Sequence, residues 1–211
     1  MQRKATYENI RNREEGDNMS LEYWFTTPIY YETSNNINEL QEEIQSCYSK
    51  LELTKNSYWG EQNHSLSDPT FKENIINKYN LKILKEEIIK HTTAYIQCFN
   101  NTKFNINVTE CWITNTAPKE HTVVHSHGYY DISGSYYFKT NGKDGSIYFL
   151  NPNIASMTSR FLIPNDHVEY PPKEGIFILF PSWLYHGVRS NDTSEDRISV
   201  SFNITLEKLN A

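Results

Sequence analysis

The chain has 211 residues, 37% of them hydrophobic and 22% charged, with a formal net charge of -6 at neutral pH. This length suits one domain with a substantial core. The negative charge argues against a general binder of nucleic acid or anionic membranes, because both partners require a basic protein surface. Abundant tyrosine (15) and phenylalanine (10) favour strands and aromatic-lined cavities over a helical bundle.

Cysteine usage and hydropathy point to a cellular compartment. The three cysteines are odd in number and contain no CxxC pair, so a reducing environment is indicated. No apolar run approaches the roughly 20 residues of a membrane-spanning helix, and residues 1–20 lack the apolar stretch of a signal peptide. We therefore expect a cytoplasmic protein that does not span a membrane.

The N-terminal part of the chain begins with a polar segment. Residues 1–18 carry no hydrophobic period and predict a disordered tail, whereas residues 19–211 predict a single domain. An apolar, strand-like segment follows at residues 21–31. Because Pro28 interrupts this segment, it predicts an edge strand.

Two helices are predicted next. Asn36 or Asn38 is placed to cap the first helix. In each helix, apolar residues recur at intervals of about one or two helical turns and so form a stripe along one face. The two stripes consist of Leu40, Ile44, Cys47 and Leu51, and of Leu81, Leu84, Ile88, Tyr95 and Phe99. Both helices are expected to pack on a sheet.

From Phe104 the hydrophobic period changes to two, and Asn/Gly/Pro-rich turns separate short segments. Many short strands after two helices predict an α+β fold whose β part is a sandwich or barrel. The predicted strands are 104–115, 121–127, 133–139, 146–150, 161–163, 167–170, 175–180, 185–190 and 196–205.

The histidines suggest a metal site. His125 and His127 flank Ser126 on a predicted strand, so their side chains share one face of the sheet. Two imidazoles at this spacing can chelate one ion, and imidazole suits both zinc and iron. A third ligand must come from elsewhere, and His186, which follows an apolar strand and the turn Phe180-Pro181-Ser182, is the strongest candidate.

The last strand carries a second feature of a ligand cavity. Arg197, Ser199, Ser201 and Asn203 alternate with Ile198, Val200 and Phe202, which gives one polar and one apolar face. A guanidinium binds carboxylates bidentately and stays charged when partly buried. The polar face therefore predicts a cavity that holds a dicarboxylate.

At this point the chain resembles a family of 2-oxoglutarate/iron(II) oxygenases common in marine phages and bacteria and related to the prolyl hydroxylases. The resemblance spans residues 24–203 and is most specific in the C-terminal half. The segments that carry it are Trp24-Phe25, Pro28-Ile29-Tyr30, Trp112-Ile113-Thr114-Asn115, His125-Ser126-His127, Ile132-Ser133-Gly134-Ser135-Tyr136-Tyr137, Phe180-Pro181-Ser182-Trp183-Leu184-Tyr185-His186 and Arg197-Ile198-Ser199-Val200-Ser201-Phe202-Asn203.

The resemblance implies a double-stranded β-helix (jelly roll, cupin-like) with N-terminal supporting helices and iron(II) held by three side chains. His125 and His186 match the family's two metal histidines. His127 departs from the pattern, because the wider superfamily has a carboxylate there in its 2-His-1-carboxylate triad. Asp131 is kept as an alternative source of that carboxylate.

The resemblance also implies roles in binding the cosubstrate 2-oxoglutarate. Arg197 would pair with the distal carboxylate, and Tyr137 looks like a tyrosine that hydrogen-bonds this carboxylate in prolyl-hydroxylase-like enzymes. Asn115 and Asn203 are expected to face the cavity, although ordinary polar roles are equally compatible with both residues.

The predicted function is a 2-oxoglutarate-dependent dioxygenase that consumes dioxygen, hydroxylates an unidentified substrate and releases succinate and CO2. Its expected location is the cytoplasm, that of the host if the chain is phage-encoded. One alternative is a three-histidine cupin-like metalloenzyme that does not use 2-oxoglutarate and has no need of Arg197. A jelly-roll binding or structural protein without chemistry is the other alternative. The sequence predicts neither the substrate nor the oligomeric state.

Overall fold

The computed structural model describes residues 26–55, 64–68, 73–99, 102–158 and 165–209. The predicted tail at residues 1–18 and the predicted strand at 161–163 lie outside these ranges. Within them the chain forms two antiparallel sheets, three α-helices and one short 3-10 helix (Ile154–Thr158).

Eight strands at the C-terminal side form the body of the fold, and their bounds agree closely with the period-two segments. The strands are β4 (Phe104–Thr116), β5 (Thr122–His125), β6 (Ile132–Lys139), β7 (Ile147–Leu150), β8 (His167–Tyr170), β9 (Ile176–Pro181), β10 (His186–Val188) and β11 (Arg197–Lys208). The larger sheet contains the order β9-β6-β11-β4, and the smaller sheet has the order β5-β10-β7-β8.

The order of these strands confirms the predicted double-stranded β-helix. Successive strands cross between the two sheets, except that β7 and β8 are antiparallel neighbours within the smaller one. A chain that winds in this way brings strands distant in sequence into register, and it leaves a space between the two sheets. The longest pairing joins β4 to β11, from Arg197 opposite Thr116 to Lys208 opposite Phe104.

Three short strands extend the larger sheet. Strand β1 (Tyr30–Thr33) pairs with β9 and lies at one edge, as Pro28 predicted. At the other edge, β3 (Ser65–Leu66) pairs with β4, and β2 (Thr54–Lys55) pairs with β3.

The helices α1 (Ile37–Tyr48), α2 (Ile75–Tyr79) and α3 (Lys82–Gln97) belong to the main hydrophobic core with the larger sheet. Asn36 occupies the N-cap of α1, yet its amide donates to Glu87 and does not cap the helix. Two members of the predicted stripes lie beyond the C-terminal ends of the helices: Leu51 is partly buried, and Phe99 is 55% exposed. Leu81 is buried at the N-cap of α3. Among the described residues, no helix combines the length and apolar character needed to span a membrane.

The larger sheet has two chemically different faces, as the alternation in β11 predicted. Ile198, Val200 and Phe202 point towards the helices and belong to the main core. Arg197, Ser199, Ser201 and Asn203 line the space between the sheets. This division places polar side chains in a cavity while the opposite face supplies most of the apolar burial that stabilises the domain.

Candidate active site

Three imidazoles meet at one end of the cavity. His125 ends β5 and His186 begins β10, and the two residues are directly paired in the smaller sheet. His127 follows two residues after β5, and the nearest ring nitrogens of all three histidines lie within 4.8 Å of one another. The structure therefore brings the predicted metal residues together.

The local reason for the position of His127 differs from the prediction. Strand β5 ends at His125, so His127 does not continue the strand alternation to residue 127 that the sequence indicated. Instead, the backbone N–H of His127 donates to the carbonyl of Ser182 at 2.8 Å. This bond links the turn after β5 to the turn before β10, and it holds His127 opposite His186.

Backbone carbonyls orient two of the rings. The Nδ1 atom of His125 lies 2.9 Å from the Val123 carbonyl, and that of His186 lies 2.9 Å from the Leu184 carbonyl. A carbonyl can only accept, so each Nδ1 carries the proton in the neutral ring. In each ring Nε2 then carries the lone pair through which a histidine binds a metal ion, an arrangement typical of metal-ligating histidines.

Burial keeps these imidazoles neutral. Desolvation lowers the pKa of His125, and it lowers the pKa of His127 to about 3 with a further contribution from nearby His125. Desolvation also takes the pKa of His186 well below its ordinary value. Because neutral imidazole is the form that binds metals, the cluster is ready to accept a cation at neutral pH.

A polar network borders His127. The side chain of Asn203 donates from Nδ2 to Glu110 at 2.7 Å, and its Oδ1 accepts from Ser133 at 2.7 Å. Its Nδ2 also lies 3.5 Å from His127 Nδ1. Asn203 therefore lines the cavity as predicted, but it lies beside the histidines and not beside Arg197.

Asp131 is placed away from the histidine cluster. Its carboxylate accepts the backbone N–H of Leu206 at 2.7 Å, and the residue is exposed. The metal-competent cluster found among the described residues contains the three histidines alone. The alternative in which Asp131 supplies the carboxylate is not supported.

Substitutions of Asp131 and His127 distinguish a three-histidine metal site from one with two histidines and the Asp131 carboxylate. We expect Asp131→Ala to retain iron(II) affinity, whereas His127→Ala loses at least the tenfold to hundredfold typical of weakened metal ligation. The measurement is calorimetric titration of iron(II) under nitrogen. Loss of iron in Asp131→Ala with retention in His127→Ala would restore the carboxylate triad.

Arg197 lies deep in the same cavity with 2% exposure. Its Nη1 donates to the carbonyls of Asp144 (2.9 Å) and Gly145 (2.7 Å), and its Nη2 donates to the Thr116 hydroxyl at 2.9 Å. Desolvation lowers its pKa from 12.5, while Tyr137 and Asp144 oppose that shift. An arginine starts from so high a pKa that it stays charged at neutral pH.

This guanidinium has unused binding capacity. Its Nε is buried and has no hydrogen-bond partner among the described residues, and no carboxylate there forms a salt bridge with it. A buried cation without a direct ion-pair partner is costly, and an incoming carboxylate would supply both that partner and the missing acceptor. The arginine and the three neutral histidines therefore fit a ligand set for a metal and a dicarboxylate.

The two remaining residues that were predicted to bind 2-oxoglutarate, Tyr137 and Asn115, differ in their positions. Tyr137 lines the cavity with 3% exposure, and burial raises the pKa of its hydroxyl to about 12. It is therefore a neutral hydroxyl donor near Arg197. Asn115 lies on the opposite face of β4 from the cavity-lining Thr114, and its amide donates to Asp196 at 3.2 Å.

Comparison with known proteins gives the family. Residues 110–203, which include all three histidines and Arg197, match the family described as "Putative 2OG-Fe(II) oxygenase". Residues 110–203 therefore carry the signature of the 2OG-Fe(II) oxygenase family. The predicted family is thereby confirmed, together with its dependence on iron(II) and 2-oxoglutarate. No curated protein matches the chain.

Solved structures share the fold of this oxygenase domain. A 2OG-Fe(II) oxygenase family oxidoreductase from Burkholderia pseudomallei is 11% identical, with a TM-score of 0.63 and 84% of each chain covered. HygX from Streptomyces hygroscopicus, with nickel and 2-oxoglutarate bound, is 11% identical at a TM-score of 0.61, covering 85% of this chain and 83% of that one. A Pseudomonas putida prolyl-4-hydroxylase is 14% identical at a TM-score of 0.57, with coverages of 85% and 93%.

Several cavity residues of the oxygenase domain were not predicted. His64, next to β3, is buried at the cavity wall, with Nδ1 3.2 Å from the Thr122 hydroxyl. Burial lowers the pKa of His64 to about 4. Trp112 and Thr114 line the cavity from β4. His64 lies in an Asn- and Ser-rich segment without periodicity, so no sequence signal identified it.

The turn that holds Arg197 was also missed as a functional element. The buried Asp144 carboxylate accepts the Thr140 hydroxyl at 2.7 Å and the Asn141 N–H at 2.8 Å. These bonds close the turn, whose carbonyls at Asp144 and Gly145 then face the guanidinium. Gly145 has φ +102°, and an added Cβ would lie 2.3 Å from the Arg189 carbonyl oxygen and 3.0 Å from Arg197 Nη1.

Substitution of this glycine should couple the turn to ligand binding. We expect Gly145→Ala to cost roughly 1–3 kcal/mol of stability and to weaken 2-oxoglutarate binding, because the turn and Arg197 must both shift. Gly142→Ala is the matched control: Gly142 also has a positive φ (+80°), but its added Cβ would meet nothing closer than 3.8 Å. Thermal unfolding and 2-oxoglutarate titration should show both variants destabilised and only Gly145→Ala impaired in binding.

Proposed function

We propose that this protein hydroxylates a substrate C–H bond as an iron(II)- and 2-oxoglutarate-dependent dioxygenase, with His125, His127 and His186 as the iron ligands. Arg197 would bind the distal carboxylate of 2-oxoglutarate, assisted by the Tyr137 hydroxyl. The observation that carries the proposal is the buried guanidinium, with an unpartnered Nε, in the same cavity as three convergent neutral imidazoles.

Each group in the cavity has a defined part. When bound, iron supplies the activation of dioxygen, which is coupled to conversion of 2-oxoglutarate into succinate and CO2. The histidines fix the metal through Nε2 atoms whose orientation, for His125 and His186, is set by backbone carbonyls. Arg197 selects a ligand with a second carboxylate, and the apolar wall at Phe180 and Ile147 restricts water around the reacting groups.

The same observation separates this function from the cupin-like alternative. A three-histidine metalloenzyme without a dicarboxylate cosubstrate has no use for a buried arginine held by a dedicated turn. The structure of that turn, with two carbonyls and the Thr116 hydroxyl directed at Arg197, therefore favours the oxygenase.

An anaerobic titration tests the proposal. We expect 2-oxoglutarate added to the iron(II) protein to produce a weak visible charge-transfer band that saturates with ligand. Zinc(II) protein, which lacks that band, controls for binding without metal-centred absorption. Absence of both the band and calorimetric 2-oxoglutarate binding would favour the cupin-like function.

The substrate can be sought by turnover. Succinate release should rise above its basal rate when lysate fractions that contain the substrate are added to the iron(II) protein with 2-oxoglutarate and dioxygen.

All three cysteines are free thiols in the structure, which supports a location in the reducing cytoplasm.

A further inference from the structure

The end of the cavity beside His127 differs in chemistry from the Arg197 end. Asn203 and Arg197 are six residues apart on β11, which is about 20 Å along a strand. Around Asn203 lie Glu110, its cross-strand partner, and Trp112 on the same face of β4. Trp112 lines the cavity with 8% exposure, and its ring centroid is 6.1 Å from that of His127.

Glu110 is an anchored anion next to Asn203 at this end of the cavity. Its carboxylate accepts from Asn203 Nδ2 at 2.7 Å and from the Tyr130 hydroxyl, and the residue is half-buried. None of the described residues forms a salt bridge with it. A carboxylate offers about four acceptor sites, so the two neutral donors leave capacity for a positively charged one.

Aromatic rings border the same carboxylate. Trp112 lies two residues further along the β4 face, and Tyr130 donates to the carboxylate from the turn after His127. An anion beside indole and phenol rings is the chemistry that recognises an organic cation, by ion pairing and by cation–π attraction.

We propose that Glu110, with Trp112 and Tyr130, binds an ammonium group of the substrate beside the His127 end of the cavity. This inference rests on the proposed function, because the bound group would lie beside the histidine cluster. The cavity is then polarised, with a cationic end at Arg197 for the cosubstrate and an anionic end at Glu110 for the substrate. A substrate with a free amine and a lysine side chain of a peptide share this chemistry.

Matched ligands test the charge requirement. Calorimetry under nitrogen, on the iron(II) protein saturated with 2-oxoglutarate, would compare phenethylammonium with phenethyl alcohol and 3-phenylpropanoate. A second arm compares the peptide acetyl-Gly-Lys-Gly-amide with its norleucine counterpart. We expect at least one cation to bind about tenfold more tightly than its neutral partner, as cation–π and ion-pair energies indicate. The arm that shows the preference identifies the source of the ammonium.

Glu110→Gln tests the assigned residue. The substitution preserves an acceptor for Asn203 and removes the charge, so the preference for the cation should disappear. Glu42→Gln, on the exposed surface of α1, makes the same change in net charge and should leave the preference intact. The inference is overturned if neither cation is preferred by the wild type, if no ligand binds measurably, or if Glu110→Gln keeps the preference.

The aromatic contribution is tested separately. Trp112→Leu should lower the affinity for the preferred cation more than that for its neutral partner, and Trp112→Phe should recover part of the loss. The 2-oxoglutarate affinity of every variant is measured first. Failure of 2-oxoglutarate to bind the wild type would refute the proposed function, whereas intact 2-oxoglutarate binding without a cation preference would refute this inference alone.

Discussion

Replacement of Arg197 by alanine is expected to weaken 2-oxoglutarate binding by roughly thirtyfold to several-thousandfold while iron(II) affinity stays unchanged. Loss of one partner of a buried charge pair costs on the order of 2–5 kcal/mol, and about 1.4 kcal/mol corresponds to a factor of ten. Arg197 is 2% exposed, so water cannot replace the lost donor efficiently. Iron should be unaffected because Arg197 is not in the histidine cluster.

Two further variants sharpen this result. Arg197→Lys should recover only part of the affinity, because a single ammonium cannot reproduce the planar donor fork or reach all three oxygens that now hold it. Arg189→Ala is the matched control, since Arg189 is a surface arginine paired with Glu169. The measurements are iron(II) and then 2-oxoglutarate titrations of all four proteins. Wild-type affinity for 2-oxoglutarate in Arg197→Ala would remove the support for the cosubstrate site.

The second large effect concerns the metal. His186→Ala should lower iron(II) affinity by more than about a hundredfold, because loss of a direct ligand exceeds the tenfold to hundredfold cost of losing an outer partner. His186 is the most buried of the three histidines and is paired with His125 across the smaller sheet. The fold should persist because, among the described residues, the His186 side chain forms a hydrogen bond only with the neighbouring carbonyl of Leu184.

A surface histidine provides the comparison for this variant. His167→Ala removes an imidazole that interacts with Asp166 and Glu169 at the edge strand β8, and iron binding should be unchanged. Iron(II) titration under nitrogen and circular dichroism on both variants separate ligand loss from unfolding. Unchanged iron affinity in a folded His186→Ala protein would show that the metal site has been misplaced.

The periodicity and the residue types of the sequence were enough to predict most of the strands and the main candidate site residues. The period of two after Phe104 predicted the strands because side chains alternate across a sheet. The same alternation separated the polar and apolar faces of β11 correctly. Residue type identified His125, His127, His186 and Arg197, because few side chains bind a metal ion or a carboxylate in a partly buried site.

Tertiary pairing decided the rest. His125 and His186 are 61 residues apart in sequence and meet only because β10 pairs with β5, and no local period carries that information. Where β5 ends, a bond to Ser182 and not strand alternation holds His127. Asn115 and Thr114 are neighbours in sequence but point to opposite faces of the sheet, and only the tertiary structure shows which of the two faces the cavity. The acceptors of Arg197 are carbonyls of a turn at residues 144–145, and since every residue has a carbonyl, only the folded backbone reveals which ones are used.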